Sequence, residues 1–135
     1  IMAQPKTSRE AFDAVMAFAG AIRMTALPER KEKAGYLLNS MLVPMLFSAM
    51  DLYVNGVSDP ESIDKAWTMG TGSPKGPFRI LDTVGLTTAH NIVKQYLKVP
   101  PFLAPYNFRG MDAMLQKYLD AGKLGESSGE GFYKY

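Results

Sequence analysis

Three parts of this sequence carry groups that could bind a ligand or take part in a reaction. The first is Asn39, an amide near the start of a long apolar run. A buried amide must find hydrogen-bond partners, because leaving it unpaired costs free energy. Asn39 therefore either caps a helix locally or points into a cleft and holds a polar group of a substrate. The pattern alone favours the local role.

The second part is the glycine-rich segment from Gly70 to Pro77, which contains Lys75. A phosphate-binding loop follows a strand and opens a long helix with Lys-Ser or Lys-Thr. This segment instead follows a predicted helix, and prolines stiffen it. We therefore favour a tight connection between two helices whose backbones approach closely, which glycine permits because it lacks a Cβ atom.

The third part is His90, the only histidine in a chain without cysteine. No carboxylate lies three or four residues from it along the predicted helix, which favours a packed residue over a catalyst. A single histidine excludes most histidine-based metal clusters, and the absence of cysteine excludes thiolate ligands and disulfides. A serine–histidine–acid triad receives no support.

The residues from Gly35 to Tyr53 form the longest apolar run, and we predict a helix that is hydrophobic on every side. Such a helix belongs in the middle of a core. Pro44 removes one backbone donor and should bend it. A membrane span is the competing interpretation, but polar residues interrupt the run and no basic anchor follows it.

Other helices are predicted on both sides of this run. Before it, a capping box at Thr7–Glu10 opens a helix from about Ser8 to Met24, and a short extended segment follows. After it, a helix begins near Pro60, points Ile63, Ala66 and Trp67 inward and ends at Gly70. Three further helices are predicted at 78–84, from Thr87 or Thr88 to about Lys98, and at 111–121, before an aromatic tail that docks on the core. We expect Asp82 to bond backbone amides of the neighbouring loop.

Composition limits the remaining possibilities. The 135 residues fit one average-sized domain, and a net charge of +2 with scattered basic residues gives no indication of nucleic-acid binding. No charged segment followed by an apolar stretch opens the chain, so the expected location is the cytoplasm.

Taken together, four stretches resemble the C-terminal helical domain of the 3-hydroxyacyl-CoA dehydrogenases, including their 3-hydroxybutyryl-CoA branch. They follow one another in the family's order and spacing, from about Gly35 to the end of the chain. The stretches are Gly35-Tyr-Leu-Leu-Asn39, Ile63-Asp64…Gly70, Gly72-Ser-Pro-Lys-Gly-Pro-Phe78 with Asp82 and Gly85-Leu86, and Leu124-Gly125…Gly129-Glu-Gly131-Phe-Tyr-Lys-Tyr135.

The resemblance implies a mainly α, multihelical domain around a long buried helix, like the C-terminal domain of 6-phosphogluconate dehydrogenases. Residues 34–135 would form this substrate-binding and dimerisation domain. Residues 1–33 would be a linker and the last helix and strand of an NAD-binding Rossmann domain, most of which lies outside the chain. The dinucleotide fingerprint is absent.

The family's reaction, by the same resemblance, is hydride transfer between NAD and the β-carbon of a 3-hydroxyacyl-CoA in fatty-acid metabolism. Asn39 matches the asparagine that reaches toward the substrate, which reverses the preference stated above. The family's catalytic histidine and glutamate would lie in the missing domain, so this chain alone is expected to be inactive and to bind no NAD. A homodimer is also implied, with no nucleic-acid or membrane partner.

Two departures weaken any inference about acyl-chain length or CoA contacts. Ser40 stands where many members have arginine, and Lys75 where many have methionine. Two alternatives therefore stay open: a dehydrogenase for a hydroxy acid that is not carried on CoA, and a helical self-association module without enzymatic activity.

Overall fold

A computed structural model describes all 135 residues, and helices account for nearly all of the regular structure. No strand is formed, and only isolated β-bridges occur. The prediction of a mainly α fold is thus confirmed. The helices are α1 (Arg9–Ala21), α2 (Tyr36–Val54), α3 (Pro60–Thr71), α4 (Pro77–Val84), α5 (Leu86–Tyr96) and α6 (Phe108–Asp120), followed by a 3-10 turn at Glu126–Ser128.

The chain divides into two compact units, which meet inside α2. Unit 1 is Ile1–Val43 and unit 2 is Pro44–Tyr135. The proline at the boundary cannot donate a backbone hydrogen bond, and the hydroxyl of Ser48 donates to the Pro44 carbonyl at 3.0 Å. The boundary that the sequence suggests, between residues 33 and 34, remains a prediction.

Unit 1 contains two short extended segments that run parallel to each other, one before α1 and one after it. Met2 and Glu29 form a parallel bridge. The amide of Glu29 donates to the Ile1 carbonyl at 2.8 Å, and the amide of Ala3 donates to the Glu29 carbonyl at 2.8 Å. Because α1 connects the two segments, unit 1 has the connectivity of a β-α-β crossover.

Helix α1 begins one residue later than the capping box suggested. The hydroxyl of Ser8 accepts a hydrogen bond from the Ala11 amide at 3.2 Å, so Ser8 rather than Thr7 is the N-cap. No residue of this helix is buried. The apolar side chains of Val15, Phe18 and Ile22 are all at least half exposed.

Helix α2 is buried only in its second half. Its buried residues are Leu46, Phe47, Ala49 and Met50, while Leu38 and Met41 are 65% and 67% exposed. By length and composition alone this helix could cross a membrane, a test that core helices of soluble proteins also pass. Because this helix is apolar on every side, the sequence predicts that its whole length is buried. In the structure, all of its buried residues lie beyond Pro44.

Two aromatic clusters form the core of unit 2. In the first, Phe47 meets the edges of Tyr96 and Phe108, with ring centroids 5.1 Å apart in both pairs. In the second, Phe132 from the tail lies 4.7 Å from Phe78 and 4.4 Å from Tyr118. The predicted docking of the aromatic tail on the core is therefore confirmed.

Several predicted helix boundaries are wrong. Helix α1 ends at Ala21 rather than near Met24, and α6 begins at Phe108 rather than at residue 111. Helix α3 continues to Thr71 and is closed by Gly72, whose φ of +72° is the left-handed conformation that was expected at Gly70. Helix α5 begins directly after Gly85 without a side-chain cap, so neither Thr87 nor Thr88 caps it. The amide of Leu86 instead donates to the Leu124 carbonyl at 2.9 Å.

Asp64 fastens α3 to the start of α4. Its buried carboxylate accepts hydrogen bonds from the amides of Phe78 at 2.7 Å and Arg79 at 3.0 Å. These amides belong to the first turn of α4, where no helical carbonyl is available to them. The Tyr133 hydroxyl donates to the same carboxylate at 3.0 Å, and the Arg79 guanidinium lies 4.2 Å above the Tyr133 ring.

Asp82 fastens the tail. Its buried carboxylate accepts from the amides of Phe132 and Tyr133, both at 2.9 Å, and from the Tyr135 hydroxyl at 3.1 Å. The expectation that Asp82 bonds the neighbouring loop is wrong, because its donors lie fifty residues further along the chain. Gly131 lies so close that an added Cβ would collide with the Asp82 carboxylate.

We predict that Gly76→Ala destabilises the protein by about 1–3 kcal/mol, in the range of overpacked cores. A Cβ atom on Gly76 would lie 2.5 Å from the Cα of Asp64, so α3 and α4 would have to separate. The measurement is the urea unfolding midpoint. Gly70→Ala is the matched control, because a Cβ atom there meets nothing within 4 Å in the last turn of α3, and it should raise stability by at most about 1 kcal/mol. Equal midpoints for the two variants would contradict the prediction.

The tail should also loosen in alkali, because burial and the neighbouring Asp82 carboxylate raise the pKa of Tyr135 from 10.0 to about 12. Burial likewise raises the pKa of Tyr118 to about 12. The unfolded chain releases these protons first, so the stabilisation is complete below pH 10 and is lost as the pH rises toward 12.

Urea unfolding at pH 8 to 11.5 tests this expectation with Tyr135→Phe as the comparison. At pH 8 the variant should be less stable by about 1 kcal/mol, the net value of a hydrogen bond. The difference should shrink as the pH rises, because the variant has one fewer proton to lose. A constant difference would count against the role of Tyr135.

Candidate functional site

Asn39 lies in the first turns of α2, in unit 1, and its side chain is exposed. Its backbone amide donates to the Gly35 carbonyl at 3.1 Å. The side-chain amide makes no hydrogen bond with any other residue of the chain, so the local capping role is not realised. Both the carbonyl oxygen and the NH₂ group of this amide remain available to a partner.

The turn before α2 has an unusual backbone. Gly35 has a φ of +88°, and Tyr36 has a φ of +53°. A residue with a side chain in this left-handed region carries strain of about 1–3 kcal/mol, and such strain concentrates at functional sites. A Cβ atom on Gly35 would lie 3.5 Å from the Cβ of Asn39. The turn therefore fixes the position of Asn39 at the start of α2.

Two further polar atoms of unit 1 have no hydrogen-bond partner among the residues of the chain. They are the buried hydroxyl oxygen of Ser40, directly after Asn39, and Oε1 of the buried Glu29. A buried polar atom left unpaired costs about 1–3 kcal/mol. The unpaired hydroxyl of Ser40 directly follows the available amide of Asn39 along α2, whereas Glu29 lies in the extended segment paired with Met2.

The glycine-rich segment binds its own chain rather than phosphate. The first-turn amides of α4, which an anion would need, already donate to the Asp64 carboxylate. A negative charge there would also meet that carboxylate. Lys75 donates to the Thr83 hydroxyl at 2.9 Å and lies 3.5 Å from the Glu126 carboxylate. The interpretation as a close helix connection fits this geometry.

His90 is buried and its Nε2 atom lies 2.7 Å from Oδ1 of Asp112 in α6. Local spacing along α5 could not predict this partner, because Asp112 is 22 residues away. No serine, threonine or cysteine side chain forms a hydrogen bond with the pair. The pair ties α5 to α6 as a packed residue would, in agreement with the sequence-based preference.

The chain contains neither a cluster of metal ligands nor the dinucleotide fingerprint. No group of three histidine, cysteine or acidic side chains could hold a metal. No Gly-x-Gly-x-x-Gly segment occurs, and the glycine-rich segment before α4 has its first-turn amides bonded to Asp64.

A family model covers most of the chain. Residues 35–135 match the model of the 3-hydroxyacyl-CoA dehydrogenase C-terminal domain. The match begins at Gly35, in the turn before Asn39, and ends at Tyr135, whose hydroxyl donates to Asp82.

Two curated relatives are similar in sequence to all or most of the chain. The human mitochondrial hydroxyacyl-coenzyme A dehydrogenase is 35% identical over 135 residues, all of this chain and 42% of that protein. A 3-hydroxybutyryl-CoA dehydrogenase of Mycobacterium tuberculosis is 34% identical over 118 residues, 87% of this chain and 40% of that protein. The chain thus spans less than half the length of these relatives.

Solved structures give the same result. A diketoreductase, described as catalysing reactions of dicarbonyl compounds, is 50% identical with a TM-score of 0.89, over 99% of this chain and 45% of that one. The (S)-3-hydroxybutyryl-CoA dehydrogenase of Ralstonia eutropha is 27% identical with a TM-score of 0.76, over 99% and 47%. The chain belongs to the 3-hydroxyacyl-CoA dehydrogenase family, and residues 35–135 correspond to its C-terminal domain.

Proposed function

We propose that this chain supplies the substrate-binding and dimerisation domain of an NAD-dependent 3-hydroxyacyl-CoA dehydrogenase. The observation that carries the proposal is the free amide of Asn39, held by a strained turn at the start of the matched domain. In this proposal NAD and the catalytic histidine and glutamate belong to a part of the whole protein outside these residues.

The connectivity of unit 1 supports a larger parallel sheet in the whole protein. Parallel strands are stable when further strands flank them and helices cover both faces. Here one pair of segments, Ile1–Ala3 and Leu27–Glu29, is joined by α1 alone. Leu27 and Phe18 remain about 60% exposed. A Rossmann sheet, as the resemblance implies, would cover these apolar side chains.

The chemistry of an amide suits the role proposed for Asn39. Its NH₂ group can donate to a carbonyl or hydroxyl oxygen, and its carbonyl can accept from a hydroxyl, so one side chain fits both the alcohol and the ketone. Such contacts fix the orientation of the reacting carbon and speed the reaction by positioning. Asn39 itself neither gives up nor takes up a proton.

A second candidate function is reduction of a dicarbonyl compound that is not carried on CoA. Of the two solved structures named above, the diketoreductase has the higher sequence identity to this chain, at 50%. Ser40, in place of the arginine of many family members, removes a cation beside Asn39. Both candidates interconvert a hydroxyl and a carbonyl, so Asn39 has the same proposed role in each.

The first experiment measures NADH absorbance when the full-length protein is given NAD with 3-hydroxybutyryl-CoA, and separately NADH with a dicarbonyl compound that is not carried on CoA. We expect turnover of the CoA ester. Turnover of the free dicarbonyl compound alone would establish the second candidate instead. A folded protein that turns over neither compound would overturn both.

We predict that Asn39→Ala lowers kcat/KM roughly tenfold to a hundredfold, because the reacting group loses its orientation. The matched control is Asn91→Ala, since Asn91 is also an exposed helical asparagine without a side-chain hydrogen bond and lies in α5. This control should keep its activity. The measurement is the initial rate across substrate concentrations for both variants.

The same experiment can reject the assignment. If Asn39→Ala and Asn91→Ala have equal kcat/KM values, Asn39 does not contact the substrate. The circular dichroism spectrum of each variant checks the helix content, so a loss of activity through unfolding is recognised.

A further inference from the structure

A small cleft in unit 2 lies between the ends of α2 and α5 and the start of α6. Its volume is about 380 Å³, a size typical of clefts that bind small molecules. Asp51 and Asn55 line it at the end of α2, and Asn107 and Arg109 line it at the start of α6. Asn39, in unit 1, does not line it.

Asn107 holds the two α2 residues in place and leaves one polar atom free on each. Its backbone amide donates to Oδ1 of Asp51 at 2.7 Å, and its side-chain NH₂ group donates to Oδ1 of Asn55 at 2.9 Å. Oδ2 of Asp51 and the NH₂ group of Asn55 have no hydrogen-bond partner in the chain. Because the two residues are one helical turn apart, the cleft presents a carboxylate oxygen next to an amide donor.

Arg109 supplies the opposite charge. Its guanidinium forms no ion pair and no hydrogen bond within the chain. It belongs to the first turn of α6, where the helix dipole disfavours a cation and no acidic residue compensates. The stability of α6 therefore does not account for this arginine. The cleft thus contains a carboxylate and a guanidinium that do not pair with each other.

The helix ends give the cleft the same polarity. The carbonyl end of α2, which carries a partial negative charge, lies beside Asp51, and the amide end of α6, which carries a partial positive charge, lies beside Arg109. A ligand with a single charge would meet a like charge at one end of the cleft. A molecule that carries both charges matches both ends.

The remaining wall of the cleft is apolar and rigid. The rings of Tyr96 and Phe108 stack with their centroids 5.0 Å apart, and Tyr96 keeps 39% of its surface exposed. Pro101 and Pro105 line the cleft from the loop between α5 and α6 and restrict the backbone of that loop. A wall held in this way is formed before a ligand arrives, which lowers the entropy cost of binding.

We propose that this cleft binds a free amino acid with an apolar side chain. The ammonium group pairs with the free oxygen of Asp51, and the carboxylate accepts hydrogen bonds from Arg109 and from the NH₂ group of Asn55. The side chain lies against the ring of Tyr96. This site goes beyond the proposed dehydrogenase function and does not depend on it.

Isothermal titration calorimetry of the full-length protein with L-phenylalanine tests the proposal. We expect saturable binding at one site per chain. Phenethylamine and 3-phenylpropionate keep the ring and only one of the two charges. Each should bind at least about tenfold more weakly than L-phenylalanine, because it loses one hydrogen bond to a charged group.

Two variants place the binding in this cleft. Asp51→Asn keeps the oxygen that accepts from the Asn107 amide but removes the charge, and Arg109→Gln removes the guanidinium. Each should raise the dissociation constant of L-phenylalanine about tenfold to a hundredfold. Lys117→Gln is the matched control, because Lys117 is an exposed lysine of α6 that forms no ion pair and does not line the cleft. Its dissociation constant should match the wild type.

Three results would overturn the proposal: no saturable binding of L-phenylalanine at millimolar concentration, equal dissociation constants for the wild type and the two cleft variants, or equal affinity for phenethylamine or 3-phenylpropionate. The circular dichroism spectrum of each variant checks that it is folded. Because no step of the experiment measures turnover, its failure leaves the dehydrogenase function untouched.

Discussion

Two buried carboxylates hold unit 2 together. Asp64 and Asp82 each accept three hydrogen bonds, two from backbone amides and one from a tyrosine hydroxyl. A buried charge is costly unless such partners replace its hydration. Because most of the donors are backbone amides in fixed positions, the carboxylates fix the path of the chain. The start of α4 and the tail both depend on them.

This constraint explains most of the motifs that mark the family. Glycine stands at positions 76 and 131 because a side chain there would collide with Asp64 or Asp82. The tail tyrosines are present for their hydroxyls as well as their rings. These motifs therefore serve the fold, and they leave Asn39 as the family residue whose polar groups the chain itself does not use.

The sequence predicted the helices well, because apolar spacing depends only on local geometry. It could not predict the donors to Asp82, since these lie fifty residues away. Local sequence did not fix the end of α3, because Gly70 and Gly72 are both suitable for the left-handed residue that closes a helix. The substrate role of Asn39 stays a prediction that rests on the family resemblance, because a lone amide on an apolar run is compatible with either a cap or a binding role.

Apolar spacing shows which side chains avoid water, but it does not show what covers them. The second half of α2 is covered by α5, α6 and the aromatic clusters, whereas its first turns, the apolar face of α1 and the face of α3 that carries Trp67 remain exposed. Covering apolar surface gains about 25 cal/mol for each Å² removed from water. Each of these exposed faces would therefore contribute to stability only when another surface covers it.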